Sequence, residues 1–491
     1  MTTPLFEGSE WNYQLLERAL DECAKIAREE LRLDTYKNQI EIISSEQMLD
    51  AYASVGMPIF YRHWSFGKKF SRERDLYQKG KRGLAYELVI NSNPCINYLM
   101  EENTACTQVL VIAHAAFGHN HFFKNNYLFR QWTDADGIVD YLVFARNYVA
   151  QCEERYGELA VEQTLDAAHS LMMNGVDRYK RPRKLSLAEE EKRQKERVAY
   201  IEKNINDLWR TLPVNTEQKE QKEERFPKQP EENILYFLEK NSPTLKIWQR
   251  ELLRIVRKTA QYFYPQYQTK VMNEGWASFC HYYIMNRLYE KGLLTDGAML
   301  EFLQLHTSVL WQPAFDSPYY SGLNPYYLGF EMFQDIRRIC TEPTDEDREW
   351  FPDLIGRDWL EVCLDAVANY RDESFIRQFL SPHLMRKLKL FSLVDDARLE
   401  DYVISNIHDF GGYKKIRAIL AGQYELEEWA PKIEVTEADL KNTRKLVLTY
   451  YRRKGRDLGD SWLNMLINIK QLWGHKTVLQ TQRGNVIGED G

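Results

Sequence analysis

The sequence predicts a mainly α-helical protein with a large helical domain over residues 1–384 and a smaller α+β domain over residues 385–491. Three observations predict this class. Apolar residues recur at helical spacing through most of the first 384 residues. Short strand-like runs follow Pro382, which indicates a change of architecture there. The aromatic content of 13% supplies enough apolar surface for a sizeable core.

Helices dominate the predicted large domain. The first is expected over residues 9–32, where Trp11, Leu15 and Ile26 fall near one face and Ser9 is a candidate cap. A second helix is expected after Ser45. Alternation in ELVIN predicts a short strand that ends before Ser-Asn-Pro. Four further ranges carry the helical pattern: 101–128, 140–155, 161–173 and 231–290.

Two regions depart from this pattern. Residues 183–230 are densely charged, which predicts an inserted solvated helix and a flexible loop. The C-terminal domain alternates short strands with two helices, over residues 413–424 and 461–473. Its predicted strands are LKLFSLVDD, DYVISN, KIEV, RKLVLTYY and KTVLQTQ.

Composition narrows the functional classes. The formal net charge of −7 leaves no excess of Lys and Arg to neutralise a phosphate backbone, so nucleic acid is not an expected partner. No apolar run is long enough to predict a membrane span. The N-terminal residues lack a signal-peptide pattern, and the seven scattered cysteines contain no CxxC pair. We therefore expect a cytoplasmic protein without a disulfide framework.

Three of the ten histidines fall within eight residues, at His114, His119 and His121. A regular helix advances about 100° per residue, so it would place His114 and His121 on one face and turn His119 away. Gly118 permits a local bulge, and a bulge would bring His119 onto the face of His114. Clustered imidazoles indicate metal or acid–base chemistry, while unrelated polar histidines at a helix end are the simpler alternative.

A second candidate segment is MNEGWASFCHYYI, in which Glu274 and His281 are seven residues apart and so share a helix face. Apolar neighbours such as Trp276 predict that Glu274 is partly buried, and a buried carboxylate requires a cation, a metal or hydrogen bonds. The alternative is that Glu274 only stabilises the first turn of its helix. Glu101 and Glu102, upstream of the histidines, are further acidic candidates.

Several segments together resemble the SpoVR family, named for stage V sporulation protein R. The resemblance spans nearly the whole chain and rests on YRHWSFGK, YELVINSNPCINYLMEEN, HAAFGHNHFFKNNYLFRQW, GVDRYKRP, NEGWASFCH, SPYYSGLNPYYLGFEMFQDIRR and DESFIRQFLSP. It implies a role in spore cortex formation or in starvation and stress responses. It also implies two partners, a serine protein kinase of the AAA-related type and a von Willebrand A-like protein. In the family, the position of His121 is often another polar residue, which favours His114 and His119.

NEGWASF is also similar to the glutamate helix of gluzincin metallopeptidases, which supplies their third zinc ligand. This resemblance implies a gluzincin-like core in which His114, His119 and Glu274 bind zinc or another divalent metal. HAAFGH departs from the HExxH pattern, because its histidines are five residues apart and Ala115 replaces the general base. Glu101, Glu102 or His281 would then have to activate the water. Alternatively, His281 would be a fourth metal ligand.

Two function hypotheses follow. The first is a metal-dependent hydrolase acting on an amide or peptide, with one coordination position open for water. The second is a non-catalytic scaffold that binds the kinase and the von Willebrand A-like protein through the charged insertion or the C-terminal domain. A carboxylate–histidine iron site in a helical bundle ranks last, because no paired Glu-x-x-His motif surrounds Glu274.

Overall fold

The computed structural model describes these residues: 3–53, 60–64, 87–180, 196, 226–227, 229–394, 403–406, 409–425, 431–452, 458–459 and 462–490. Spatial contacts divide the chain into two compact units. One comprises residues 1–162 and 261–430, and the other comprises residues 163–260 and 431–491. The predicted division at residue 384 was drawn from sequence texture and stays a prediction. Most of the charged stretch 183–230 and the second half of YRHWSFGK lie outside the described residues.

The first unit is built mainly of helices, as the sequence predicts. Its helices are α1 Tyr13–Glu29, α2 Ser45–Ala53, α3 Ala105–Val111, the π-helix Ile112–His119, α4 Asn120–Asn125, α5 Tyr127–Trp132, α6 Ile138–Tyr156 and α7 Glu158–Ser170, whose end lies in the second unit. Where the first unit resumes after residue 260, its helices are α10 Lys270–Glu290, α11 Asp296–Val309, α12 Pro325–Thr341, α13 Asp345–Trp350, α14 Trp359–Asn369, α15 Asp372–Phe379, α16 Pro382–Lys387 and α17 Phe410–Gln423.

Two small sheets belong to the same unit. The first has the order β1-β3-β2, formed by β1 Asn38–Ile43, β2 Glu87–Ile90 and β3 Cys95–Met100. Strands β1 and β3 are parallel, whereas β2 and β3 are antiparallel. The second sheet pairs β4 Ser392–Val394 with β5 Val403–Asn406. Strands β1 and β3 were not expected from the sequence, because neither shows a clean alternation of apolar and polar residues.

Helix α10 is the buried centre of the first unit. From Val271 to His281 every residue except Glu274 is buried, so this part of the helix has no solvated face. Trp276 is fully buried and lies 5.6 Å from Phe279 and 5.1 Å from Phe333, measured between ring centroids. The first turn is held by the buried carboxylate of Asp372, which accepts the backbone N–H groups of Val271 and Met272 at 2.9 Å.

Three glycines allow other helices to approach α10 closely. A Cβ on Gly118 would lie 2.6 Å from Cα of Ala277, and one on Gly275 would lie 2.4 Å from Cα of Gly329. A Cβ on Gly329 would meet the backbone of α10 at Val271. Real Cβ atoms do not tolerate such distances, so side chains at these positions would push the helices apart.

The second unit combines helices with a four-stranded sheet. The sheet order is β6-β7-β8-β9, from β6 Lys432–Ala438, β7 Leu446–Tyr451, β8 Thr477–Thr481 and β9 Val486–Asp490. The helices are α8 Ile234–Asn241, α9 Ile247–Gln268, whose end lies in the first unit, and α18 Trp462–Trp473. The buried Trp473 stacks near Phe237, with 5.9 Å between ring centroids. The predicted small sheet domain near the C-terminus is thereby confirmed. Among the described residues, no helix is long and apolar enough to cross a membrane.

Replacing Gly118 by Ala should destabilise the protein, because the added methyl group overlaps the backbone of α10 at Ala277. Overpacking of this kind costs about 1–3 kcal/mol, and we expect a lower melting temperature in a thermal unfolding scan. The matched control is Gly297→Ala on α11, where the nearest atom to an added Cβ is 3.9 Å away. That change should leave stability unchanged or raise it by up to about 1 kcal/mol. Equal melting temperatures for the two variants would contradict the close approach of the helices.

Candidate functional site

A turn of π-helix brings His114 and His119 together. Residues Ile112–His119 have π-helical hydrogen bonding, in which each N–H bonds five residues back, so residues five apart lie on the same face. The two imidazole ring centroids are 4.6 Å apart. The local distortion that the sequence allowed at Gly118 is therefore present, and it replaces the pairing of His114 with His121 that a regular helix would give.

Asparagine side chains anchor the π-helix on strand β1 and the residues before it. Asn38 donates its amide N–H to the carbonyl of Ala116 at 2.9 Å, which satisfies a carbonyl inside the π-helix. Asn120 accepts the N–H of Tyr36 at 2.8 Å and donates to the carbonyl of the same residue at 3.0 Å. Asn38 thus holds the distorted turn from outside the helix, and Asn120 ties the residue that follows the turn to Tyr36.

Two carboxylates converge on the histidine pair from different elements. Glu274 lies on α10, and its Oε2 is 3.8 Å from Nε2 of His114 and 3.5 Å from Nε2 of His119. Glu87 opens strand β2, and its Oε1 is 3.3 Å and 4.0 Å from the same two nitrogens. We call these four residues the His/Glu cluster. His114, His119 and Glu274, which the sequence analysis grouped, thus lie close together, and Glu87 was not among the predicted site residues.

The donor spacing of Glu87, His114 and His119 is compatible with one bound cation. Ligand atoms around a tetrahedral zinc ion, at about 2.0–2.2 Å from the metal, stand about 3.3–3.6 Å apart. The four nitrogen–oxygen distances in the cluster run from 3.3 to 4.0 Å. Donor atoms of Glu87, His114 and His119 also lie within 4.8 Å of one another. The other oxygen of Glu87, Oε2, is buried without a hydrogen-bond partner among the described residues, which a cation or a water would supply.

Neighbouring side chains orient the donors. Nδ1 of His119 lies 2.9 Å from Oδ1 of Asn273, so the imidazole donates its Nδ1–H there and keeps the Nε2 lone pair for the cluster. The hydroxyl of Tyr326, in the first turn of α12, donates a hydrogen bond to Glu274. Neither Asn273 nor Tyr326 was expected to contribute from the sequence.

Burial and mutual charge shift the pKa values of the cluster in opposite directions. Burial raises the pKa of Glu87 to about 7, and the charge of Glu274 adds to this. Burial also opposes ionisation of Glu274, but His119 and His114 outweigh it and hold its pKa below the usual value. For His114, burial lowers the pKa, yet Glu87 and Glu274 raise it above the usual value. Burial lowers the pKa of His119 to about 4.

His281 contacts His114 at Nδ1, whereas the carboxylates converge on Nε2 of that ring. Its Nδ1 is 2.9 Å from Nδ1 of His114, and its Nε2 is 2.8 Å from Nδ1 of His306 on α11. Both ring nitrogens are therefore engaged away from the Nε2 side of His114, where the carboxylates converge. The sequence analysis predicted His281 as a metal ligand or a water-activating group. In the structure its two ring nitrogens instead contact His114 and His306.

The remaining candidates lie apart from the cluster contacts. Glu101 and Glu102 are exposed in the turn after β3, where Glu102 accepts the N–H of Ser45 at 3.2 Å. His121 is buried, and its Nδ1 lies 3.1 Å from the N–H nitrogen of Asp34. Glu101 and Glu102 were predicted as candidates to activate a water, but Glu87 is the additional carboxylate that lies near the two histidines. Its only sequence signal was a charged residue at the start of an apolar strand.

Comparison with known proteins identifies relatives over the whole chain. The profile of a family described as "SpoVR like protein" matches residues 10–429, and that of "SpoVR-like C-terminal domain" matches residues 431–484. A protein of Escherichia coli (strain K12) named "Uncharacterized protein YcgB" is 55% identical over 491 residues, covering 100% of this chain and 95% of that protein. No solved structure matches. The name of this relative assigns no reaction, so the similarity shows common ancestry and not an activity.

Divalent metal affinity at the cluster should rise with pH up to neutrality. Below its pKa of about 7, the carboxyl of Glu87 is neutral and does not offset the charge of a nearby cation, and the raised pKa of His114 favours a proton on that imidazole. Each competing proton costs up to about tenfold in affinity per pH unit. We would measure Co²⁺ dissociation constants by chelator competition between about pH 6 and pH 8. The slope should become shallower in Glu87→Gln, and a flat wild-type profile would contradict the assignment.

Proposed function

This chain belongs to the SpoVR family, and we propose that its His/Glu cluster binds a divalent cation, with zinc the first candidate, in a site that hydrolyses an amide or peptide bond. The observation that carries the proposal is the convergence of four donor atoms from three separate elements. Such a set of imidazoles and carboxylates, buried together, is costly unless a cation compensates the carboxylate charges. Two ionised carboxylates balance the charge of one divalent ion.

The arrangement supports a gluzincin-like reading of the ligands. His114 and His119 supply two nitrogens from one helix, and Glu274 supplies a carboxylate from a second helix. The five-residue spacing, which departs from the HExxH pattern, suits the π-helical turn in which both histidines lie. The proposed ligand set therefore needs no rearrangement of the described backbone.

Glu87 is our candidate for the missing proton acceptor. Ala115 occupies the place of the general base in the HExxH pattern and has no functional group. Glu87 brings a carboxylate to the same space from strand β2, and its Oε2 makes no hydrogen bond to a described residue. When bound, a divalent cation would lower the pKa of a water and polarise a carbonyl. Glu87 would accept the proton of that water.

We propose that water and a substrate approach the cluster from the side of the carboxylates. The side chains of Glu87 and Glu274 keep 16% and 19% of their surface exposed, compared with 8% for each histidine. The carboxylates are thus less deeply buried than the imidazoles, although Oε2 of Glu87 is itself buried. An open coordination position would face this side.

The biological setting is proposed from the family resemblance alone. We propose that the protein acts in the cytoplasm during sporulation or a stress and starvation response, beside a serine protein kinase of the AAA-related type and a von Willebrand A-like protein. Co-purification of both proteins with the chain expressed at its natural level would support this setting. Their absence from the purified complex under starvation would count against it.

Elemental analysis of the purified, untagged protein tests the metal site. We expect near-stoichiometric divalent metal in the wild type and its loss in both His114→Ala and Glu274→Ala, because each removes a ligand. His121→Ala is the matched control, since that histidine is buried beside the cluster but contacts Asp34. It should retain the metal. A wild type that stays free of metal after reconstitution would overturn the proposal.

The hydrolysis itself has a separate readout. A panel of amide and peptide substrates should reveal cleavage that a chelator abolishes, and Glu87→Gln should lose this cleavage while retaining metal. Metal binding without any cleavage in the panel would support the cation site and contradict the proposed hydrolysis of amide or peptide bonds.

A further inference from the structure

Three buried imidazoles form a hydrogen-bonded chain that leads away from the His/Glu cluster. Nδ1 of His114 lies 2.9 Å from Nδ1 of His281, and Nε2 of His281 lies 2.8 Å from Nδ1 of His306. The three side chains come from the π-helix, α10 and α11, so the chain crosses three elements. All three residues are buried, with 2–6% of their surface exposed.

A neutral imidazole has one nitrogen that donates and one that accepts, which makes the roles in such a chain interdependent. Nε2 of His114 faces Glu87 and Glu274, so a ligand role requires its lone pair there and its hydrogen on Nδ1. His281, whose Nδ1 lies 2.9 Å away, is then placed to accept at Nδ1 and donate from Nε2, while the backbone of Ala277 also hydrogen-bonds to His114. His306 must in turn accept at Nδ1.

Aromatic side chains hold the ring of His306 in the orientation that points its Nδ1 towards His281. Its ring centroid lies 4.9 Å from that of Phe330, 5.0 Å from that of Tyr282 and 5.6 Å from that of Phe302. Phe302 also meets His281 edge to face, at 6.0 Å. Packed rings of this size leave little room for a flip that would turn Nδ1 of His306 away from His281.

We propose that His281 and His306 are positioning residues that fix the tautomer and the ring orientation of His114, so that its Nε2 is presented to a divalent cation. This inference rests on the proposed metal site and extends it to a residue that touches no ligand atom. His306 accepts the hydrogen of His281, and His281 accepts the hydrogen of His114. His119 receives the equivalent support from Asn273, so each imidazole of the cluster has its own partner.

The test compares variants that keep or remove the acceptor at residue 306. In His306→Asn the side-chain oxygen replaces Nδ1 as acceptor, whereas His306→Leu fills the space without one. Removing such a supporting partner typically costs about 10–100-fold in metal affinity. We expect a loss of that size for His306→Leu in Co²⁺ competition titrations, and near-wild-type affinity for His306→Asn.

Phe302→Leu is the matched packing control, because it disturbs the same rings without removing a hydrogen bond. It should lower the melting temperature and leave Co²⁺ affinity nearly unchanged. A second readout follows the tautomers directly. With ¹⁵N-labelled histidine in the Zn²⁺-loaded wild type, His281 should carry its hydrogen on Nε2.

The outcomes separate this inference from the proposed function. If the wild type binds neither Co²⁺ nor Zn²⁺, the metal site fails and the inference fails with it. If the wild type binds metal but His306→Leu binds it equally well, or His281 carries its hydrogen on Nδ1, only the positioning role is overturned. A loss in His306→Leu that Phe302→Leu reproduces would likewise assign the effect to packing.

Discussion

The candidate site depends on the π-helical turn at residues 112–119. One additional residue per turn places His114 and His119 on the same face, where a regular helix would separate them by a large angle. Such a turn weakens the local hydrogen-bond ladder, and compensation comes from outside the helix. Asn38 satisfies the carbonyl of Ala116, and Gly118 lets the turn lie directly against α10. The distortion is thus built into the packing of the first unit.

Close packing of the π-helical turn against α10 brings the two histidines near Glu274. The contact between Gly118 and Ala277 brings the histidines within reach of Glu274, which lies one turn earlier on α10. The start of α10 is in turn held by Asp372 and by the approach of Gly329 to Gly275. The distances between the donors therefore rest on helix–helix contacts, and substitutions far from any ligand atom would change them.

Electrostatics set the character of the cluster. Two carboxylates and two imidazoles share a buried space, and their pKa values separate: Glu87 is raised to about 7 while Glu274 is held below its usual value. Such separation is typical of functional sites, where burial and neighbouring charges act on similar groups unequally. A divalent cation would remove the conflict, because it favours the ionised form of both carboxylates and the neutral form of both histidines.

Local pattern predicted most of the helices and singled out His114, His119 and Glu274 as candidates, but their grouping into one site came from the resemblance to the gluzincin glutamate helix. Helical periodicity indicated most of α1, α6 and α10, and the histidine run with Gly118 indicated the bulge. Glu87, Asn273 and His306 were missed because their roles arise from contacts between residues far apart in sequence. The strands β1 and β3 were missed because they pair within a small sheet whose faces are not cleanly apolar and polar. His281 was predicted as a fourth ligand or a water-activating group, whereas its ring nitrogens contact His114 and His306, a partner on α11 that local pattern could not reveal.

The most direct test of this account is anomalous diffraction from crystals of the zinc-loaded protein, recorded on both sides of the zinc absorption edge. The account predicts one strong anomalous peak within about 2.0–2.2 Å of Nε2 of His114, Nε2 of His119 and a carboxylate oxygen of Glu274. A peak bound to only one of these histidines, or located elsewhere in the chain, would contradict the claim that the π-helical turn exists to join them in one site.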